Sequence, residues 1–325
     1  MKILFLGEKR DYFLERDLGQ EIDWKKFKFT WYEELFRDEI GRQCDVVHYG
    51  PGYIKDFDPD LSVKEIVSLF GNDFDAILTS CMLWEHFKGF NEINYIPKVT
   101  IAAEVYNNAF RMNKTRKHFA NHKYNLLFGF SSLVTFWAEQ WEYAKHFEIL
   151  PFSVDINVYQ KWNIPKRFDV MGSFNSFIRA KRSPIRHQIK QFLQKKMPLT
   201  SWTKRSYYID NVWKINQSKI CLNYLHQGFF NPRYFEVLAC GGFLLTDQPV
   251  YDLERVGLVA GRHFATFKGL EDLEEKINYW LGHDKERERI ARQGMRFVRR
   301  YHNTKVRVKE FIQKVEKFLE GWYKK

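Results

Sequence analysis

The sequence predicts an α/β protein built from two Rossmann-like domains, each a parallel sheet covered by helices on both faces. Short apolar runs of strand length alternate with stretches of helical periodicity, which is typical of such sheets. The alternation is interrupted once, by prolines around residues 151–165, and then begins again. The chain of 325 residues is long enough for two domains with separate cores.

The first half begins with an apolar strand at residues 2–6, which the charged residues 8–10 cut off. This run is shorter than a signal peptide or a membrane span requires. Further strands are predicted at residues 45–49, 75–79, 98–102, 125–130 and 147–150. Between them, residues 29–40 and 62–70 have helical periodicity. We predict that residues 1–155 form the N-terminal domain, with a boundary near residues 152–166.

The second half begins with a buried strand at residues 168–172. Further strands are predicted at residues 199–202, 219–224, 243–246 and 263–267. Helices are predicted at residues 183–196, 207–216, 232–240, 270–281 and 285–301. Residues 156–305 are therefore predicted to form the C-terminal domain. The last segment, 306–325, has an apolar stripe that favours a helix packed back on the N-terminal domain, with a membrane-surface helix as the alternative.

Composition narrows the class of protein without deciding its function. Hydrophobic residues make up 45% of the chain, which excludes a disordered polymer. The 52 basic residues exceed the 40 acidic ones, and a net charge of +12 favours an anionic partner such as a phosphorylated molecule, a lipid surface or nucleic acid. None of the four cysteines, Cys44, Cys81, Cys221 and Cys240, forms a C-x-x-C pair. Buried reduced thiols are expected, and not a zinc site.

The segment from Ser218 to Asp247 carries the strongest functional signal. Its pattern predicts a strand, a loop, a helix, a tight turn and a second strand. Asn231 suits the N-cap of the helix and Pro232 its first position. The glycine pair 241–242 is expected to end the helix. The helix therefore begins at the carboxyl end of a parallel strand, where open α/β sheets bind ligands.

The side chains at this helix start suit a diphosphate attached to a ribose. The first backbone N–H groups and the helix dipole attract an anion, and the guanidinium of Arg233 matches phosphate oxygens. Glu236 can accept hydrogen bonds from a pair of ribose hydroxyls. The alternative is that Arg233 and Glu236, three residues apart, form only an ion pair along the helix.

The runs K-I-x-L-N, G-x₄-R-x-F-E and A-x-G-G-F-L-L-T-D resemble the CgeB-like (spore maturation protein type) glycosyltransferases of the group-1 set. The resemblance covers about residues 165–305 and implies the GT-B fold, two Rossmann-like domains facing each other across a cleft. It also implies that Glu236 holds the ribose of a nucleotide-sugar donor and that Arg233 lies beside the diphosphate. Many group-1 enzymes have a second glutamate eight positions before the first, where this chain has Gly228. The resemblance therefore assigns to this chain neither the contacts to the transferred sugar nor the stereochemical outcome of those enzymes.

Other residues are weaker candidates for the donor site. Gly172 ends a predicted strand. Lys181 or Arg182, after the loop that follows it, could neutralise the phosphates of the donor. The alternative for these two basic residues is that they lie in solvent at the start of a helix. Lys219 is either a ligand or a surface lysine at a strand start. The remaining candidates lie at the end of the strand predicted at residues 219–224 or in the segment that follows it: Asn223, His226 and Asn231.

Two carboxylates of the first half are candidates for the general base that an inverting transferase needs. Glu104 follows the strand at residues 98–102, and Asp11 lies in the loop after the first strand. Both positions follow the carboxyl end of a predicted parallel strand, the ligand side of such sheets. A solvated loop carboxylate is the alternative for each.

These observations predict a glycosyltransferase that passes a sugar from a nucleoside-diphosphate-sugar donor to the hydroxyl of a carbohydrate or lipid-linked acceptor. No cofactor or metal is expected, because the helix dipole and cations can stabilise the departing diphosphate. We expect a cytoplasmic protein, with peripheral contact to the inner membrane surface left open and no nucleic acid partner. The alternatives are another GT-B enzyme, such as a nucleotide-sugar epimerase, and a basic nucleic-acid-binding protein.

Overall fold

The computed structural model of the chain describes residues 1–7, 32–80, 87–102, 116–120, 122–172, 184–197, 199–202, 208–225, 228, 230–249 and 251–324. These residues divide into two units. The first contains the strand at the start of the chain, Glu33–Pro151 and the residues from Arg307 onward. The second contains Phe152–Val306.

The first unit is built on a six-stranded parallel sheet in the order β2-β1-β3-β4-β5-β6. Its strands are β1 (Lys2–Leu6), β2 (Asp45–Tyr49), β3 (Ala76–Ser80), β4 (Lys98–Ala102), β5 (Tyr124–Gly129) and β6 (Ala144–Ile149). Its helices are α1 (Tyr32–Gln43), α2 (Val63–Leu69) and α3 (Ser132–Gln140), with a 3-10 turn at Phe90–Glu92. All six predicted strands are present. Helix α3, which Ser131 caps through the Val134 amide, was not predicted.

Both faces of this sheet are buried along its four central strands, β1, β3, β4 and β5. On one face Leu4, Leu6, Ile77 and Leu127 belong to the main core cluster. On the other face Phe128 lies 4.8 Å from the ring of Phe311. Parallel strands buried on both faces read as continuous apolar runs, which is why the sequence predicted them well.

The second unit is built on a five-stranded parallel sheet in the order β11-β10-β9-β7-β8. Its strands are β7 (Phe168–Gly172), β8 (Thr200–Trp202), β9 (Ser218–Leu222), β10 (Leu244–Asp247) and β11 (Ala265–Phe267). The helices along this part of the chain are α4 (Pro184–Lys196), α5 (Tyr208–Gln217), α6 (Pro232–Ala239), α7 (Leu253–Val256), α8 (Gly269–Gly282), α9 (Asp284–Tyr301) and α10 (Thr304–Trp322). Each predicted strand and helix of this half is present within a few residues of its predicted bounds.

The apolar residues along one face of helix α10 are buried in a hydrophobic core. Val308, Phe311 and Val315 are at most 1% exposed, and the ring of Phe311 also lies 5.7 Å from that of Phe36 in α1. The alternative of a membrane-surface helix does not fit this burial. In the part of the chain that the structure describes, no helix is long and apolar enough to cross a membrane.

Two glycines let helix α6 pack closely against its surroundings. A Cβ on Gly242, which follows the helix, would lie 2.9 Å from Ile215 Cγ2. A Cβ on Gly294 in α9 would lie 2.4 Å from the carbonyl oxygen of His263 and 2.8 Å from Leu238 Cδ2 in α6. The absence of side chains at these two positions therefore determines where α6, and with it the candidate site, lies against the rest of the unit.

Candidate active site

The candidate site begins where the loop after β9 enters helix α6. Asn231 has the extended backbone of an N-cap, with φ −115° and ψ 166°, and Pro232 occupies the first helical turn, as predicted. The Asn231 side chain, however, makes no capping hydrogen bond. The backbone role of Asn231 was predicted correctly, whereas its side chain has another partner.

That partner is Asn223, which follows β9 at the carboxyl edge of the sheet. The two side-chain amides form a reciprocal pair, with nitrogen–oxygen distances of 3.4 and 3.3 Å. Asn223 Nδ2 also lies 3.4 Å from Thr246 Oγ1, and that hydroxyl donates to Asp247 Oδ1 at 3.2 Å. A chain of polar contacts thus runs from the end of β10, past the end of β9, to the start of α6.

Glu236 lies one turn into the helix and is held by one ion pair and one hydrogen bond. Arg233 Nη1 lies 3.2 Å from Glu236 Oε2, so the predicted ion pair is present. The hydroxyl of Tyr159, a residue that is 5% exposed, donates to Glu236 Oε1 at 3.1 Å. The side chains of Arg233 and Glu236 keep 17% and 18% of their surface exposed. Each carboxylate oxygen can accept a further hydrogen bond, so the ion pair does not exclude a ligand at Glu236.

Tyr159 is itself fixed by packing and by a cation. Burial raises the pKa of its hydroxyl well above the usual range, and the nearby Glu236 carboxylate adds to this, so the hydroxyl remains a donor. Arg299 in the last turn of α9 donates to the carbonyl oxygens of Tyr159 at 3.4 Å and of Ala239 at 3.3 Å. The donor to Glu236 is therefore preorganised.

Asp247 belongs to the same edge of the sheet, and sequence reasoning assigned it no role. Its Oδ1 accepts from the Leu225 amide at 2.6 Å, which ties the loop after β9 to the end of β10. Burial raises its pKa to about 6, while these hydrogen bonds and the Arg186 guanidinium oppose the rise. The sequence did contain a signal for this residue. Asp247 is a carboxylate at the end of a buried apolar strand, and it is the last residue of the run A-x-G-G-F-L-L-T-D.

The raised pKa of Asp247 predicts a dependence of stability on pH. Between about pH 4 and 6 the folded protein holds a proton on Asp247 that the unfolded chain has lost, so the contribution of Asp247 to the free energy of unfolding falls as the pH rises. The fall is at most about 3 kcal/mol, and Asp247→Asn should abolish it. Urea denaturation from pH 4.5 to 7.5 measures this, with Asp210→Asn on α5 as the exposed control. Parallel wild-type and Asp247→Asn curves would contradict the assignment.

Gly172 and Lys219 have different places in the sheet. Gly172 is buried at the end of β7 and pairs with Leu222, so it lies at the same carboxyl edge as Asn223. Lys219 is the second residue of β9, at the opposite edge, and its Nζ lies 2.7 Å from Asp169 Oδ1. The structure therefore brings Gly172, Asn223, Asn231, Arg233 and Glu236 to one edge, and it does not bring Lys219 there.

Other predicted residues lie outside the described part of the chain: Asp11, Glu104, Lys181, Arg182, His226 and Cys81. Their roles stay predictions. Of the remaining cysteines, Cys221 and Cys240 are buried free thiols and Cys44 is half-buried. Burial raises the pKa of the Cys221 thiol to about 12, which fits an unreactive core residue.

One protein family matches the part of the chain that contains the candidate site. Residues 161–313 match a family described as glycosyl transferase-like, and this span includes α6 and both flanking strands. No curated protein sequence matches the chain. The narrower CgeB-like assignment stays a prediction.

Three solved glycosyltransferases have the same architecture as this chain. HepE (Alr3699) of Anabaena, in complex with UDP and glucose, has a TM-score of 0.63 at 11% identity, over 98% of this chain and 100% of HepE. Sucrose-phosphate synthase of Thermosynechococcus elongatus has a TM-score of 0.58 at 10% identity, over 99% and 100%. The DNA-modifying β-glucosyltransferase has a TM-score of 0.61 at 14% identity, over 97% and 99%. The chain thus has the GT-B fold, as predicted.

Proposed function

We propose that this chain, which has the GT-B fold and a glycosyl transferase-like segment at residues 161–313, is an enzyme that transfers a sugar from a nucleoside-diphosphate-sugar donor to an acceptor hydroxyl. The observation that carries the proposal is the half-buried carboxylate of Glu236, held by Tyr159 and Arg233 at the start of α6. Related folds bind such donors, since HepE structures contain UDP and glucose or UDP-glucose.

The role of each group follows from its chemistry. Glu236 accepts hydrogen bonds from the ribose hydroxyls of the donor. The positive end of α6 and the Arg233 guanidinium stabilise the negative charge that develops on the diphosphate as the glycosidic bond breaks. These groups supply the stabilisation for which other enzymes use a divalent cation, so we propose a reaction without a metal.

The residues proposed to act on the acceptor are assigned from the sequence. We propose Glu104 as the first candidate for the base that accepts the acceptor hydroxyl proton, with Asp11 as the second. A carbohydrate or lipid-linked hydroxyl is the proposed acceptor and the cytoplasm the proposed location of the chain, with peripheral contact at the inner membrane surface as an open alternative. The net charge of +12 supports an anionic donor or surface as partner.

Thermal stabilisation by a panel of nucleoside diphosphates and their sugars tests the donor class, because a bound ligand stabilises the folded protein by RT ln(1 + [L]/Kd), so the melting temperature rises with the affinity and the concentration of the ligand. We expect one nucleotide series to stabilise the protein, and its sugar to be transferred or slowly hydrolysed. Isomerisation of the sugar without an acceptor would favour an epimerase. Absence of stabilisation across the panel would remove the proposal.

Tyr159→Phe tests the support of Glu236. The variant loses one hydrogen bond to a carboxylate, worth about 1.5 to 3 kcal/mol, and we expect donor binding to weaken about tenfold while the fold remains intact. Titration calorimetry with the stabilising nucleotide sugar measures the change. Tyr279→Phe, which removes a matched contact of 2.9 Å to Glu286 outside the site, is the control. Equal affinities of Tyr159→Phe and wild type would show that Tyr159 does not position the carboxylate.

A further inference from the structure

The outer face of helix α9 carries five basic residues that follow one another at intervals of three or four, so they share one side of the helix. They are Lys285, Arg289, Arg292, Arg296 and Arg300. All five are exposed, whereas Ile290, Gly294 and Val298 on the opposite face are buried. At 1.5 Å per residue these five residues, the basic row of α9, extend over about 22 Å.

The acidic residues of the same helix neutralise little of the basic row. Asp284 is paired with the buried Arg287, and Glu286 accepts a hydrogen bond of 2.9 Å from a tyrosine of α8. Glu288 does pair with a member of the row, Arg292, at 3.3 Å. Among the residues that the structure describes, the other four cations of the row have no carboxylate partner.

The basic row opposes the stability of the helix that carries it. Like charges three and four residues apart on a helix repel each other. The packing of α9 does not require them, because its contact with α6 is made on the opposite face, where Gly294 lies against Leu238. A local feature that costs stability and does not serve the fold is typical of a functional surface. The row therefore indicates an anionic partner outside the chain.

The shape of the basic row favours an extended anionic surface over a small anion. A site for a small phosphorylated molecule is a concave pocket in which a few polar groups converge. The cations of the row instead lie side by side on an exposed helix face, with neighbouring Cβ atoms about 5 to 6 Å apart. Such a row can contact many separate anionic groups in one plane at the same time.

The aromatic residues of α9 favour lipid headgroups over single-stranded nucleic acid. Proteins that bind single strands combine cations with aromatic rings on which bases stack. Phe297 of α9 stacks instead on the ring of His263, with centroids 4.5 Å apart. Tyr301 is 47% exposed at the end of the helix, and the guanidinium of Arg300 lies 5.1 Å from its ring centroid. An exposed tyrosine beside cations is typical of protein surfaces that lie at the level of lipid headgroups.

We propose that the basic row of α9 docks the protein onto a bilayer that contains anionic lipids, with Tyr301 among the headgroups. The inference goes beyond the proposed function, because it holds whichever nucleotide sugar the protein binds, and it assigns a surface to the membrane contact that the proposed function leaves open. Helix α9 lies between the row and α6, so docking and donor binding use separate groups.

The test is sedimentation of the full chain with vesicles of phosphatidylcholine, with and without phosphatidylglycerol. The wild type should bind only the anionic vesicles, and 1 M salt should release it, because the screening length falls to about 3 Å. Each cation at an anionic lipid surface strengthens binding about fivefold, so Arg289→Gln/Arg296→Gln/Arg300→Gln should bind about a hundredfold more weakly. Its melting temperature should be unchanged or higher, because repulsion along the helix is removed.

A matched variant separates the basic row from net charge. Lys64→Gln/Lys195→Gln/Lys268→Gln removes the same charge from three exposed positions outside α9 and should bind the vesicles like the wild type. Both triple variants should bind the stabilising nucleotide with wild-type affinity, so a failure of docking and a failure of the proposed function are separate observations.

Tyr301→Ala distinguishes a lipid interface from a general affinity for polyanions. This variant should bind anionic vesicles about threefold more weakly, and it should bind heparin, a soluble polyanion, like the wild type. Equal vesicle binding by the wild type and by the triple variant of the row would overturn the inference. So would a wild type that does not bind anionic vesicles, or one that binds an RNA or DNA oligonucleotide in their place.

Discussion

Replacing Glu236 by alanine is expected to weaken binding of the nucleotide-sugar donor about a hundredfold or more. The carboxylate would accept hydrogen bonds from two ribose hydroxyls, and a hydrogen bond to a charged group is worth about 1.5 to 3 kcal/mol. The loss should extend to the free nucleoside diphosphate, because the ribose and not the sugar makes the contact. Titration calorimetry with the nucleotide and with its sugar measures both effects.

Two further variants separate this effect from damage to the fold. Glu236→Gln keeps one oxygen that can accept from Tyr159 and loses the charge, so its donor affinity should lie between those of wild type and Glu236→Ala. Glu274→Ala removes a carboxylate that pairs with Lys196 at 3.2 Å on the surface, and it should bind the donor like the wild type. If Glu236→Ala binds the donor as tightly as wild type while melting normally, Glu236 has no part in donor binding.

Replacing Gly294 by valine should destabilise the second unit by about 3 kcal/mol or more. Even a Cβ at this position would lie 2.4 Å from the carbonyl oxygen of His263, and a backbone carbonyl cannot move aside as a side chain can. Helices α6 and α9 would have to separate, which would also move Glu236. Urea denaturation followed by circular dichroism measures the loss of stability, and donor affinity should fall with it.

Gly282 provides the matched control, since it also lies in a helix but a Cβ there would meet nothing within 4 Å. Gly282→Ala should leave the free energy of unfolding unchanged or raise it by up to about 1 kcal/mol, because alanine favours the helix more than glycine does. A Gly294→Val variant as stable as wild type would show that α6 does not depend on this close approach.

Much of the fold could be predicted because its signals are local. Strands buried on both faces are short apolar runs, and the start of α6 is marked by Asn231 and Pro232 in adjacent positions. Helix α3 was missed because Phe136 and Trp137 are exposed on its outer face, so its apolar residues do not form a single stripe. A strand that is buried on both faces can be recognised from its run of apolar residues, whereas exposed aromatic residues on a helix hide the helical periodicity of its apolar residues.

The sequence by itself determined the two parallel sheets, the helix that begins after β9, and the presence of Arg233 and Glu236 at its start. Only the tertiary structure decided the partners of the polar side chains. Tyr159 donates a hydrogen bond to Glu236 from 77 residues away. The side chain of Asn231 is hydrogen-bonded to that of Asn223, and Lys219 pairs with Asp169 at the opposite edge of the sheet. Apolar periodicity is repeated over many residues and can be read along the chain. A single hydrogen bond contributes only about 1 kcal/mol and depends on which distant segments the packing brings together, so it leaves no repeated pattern in the sequence.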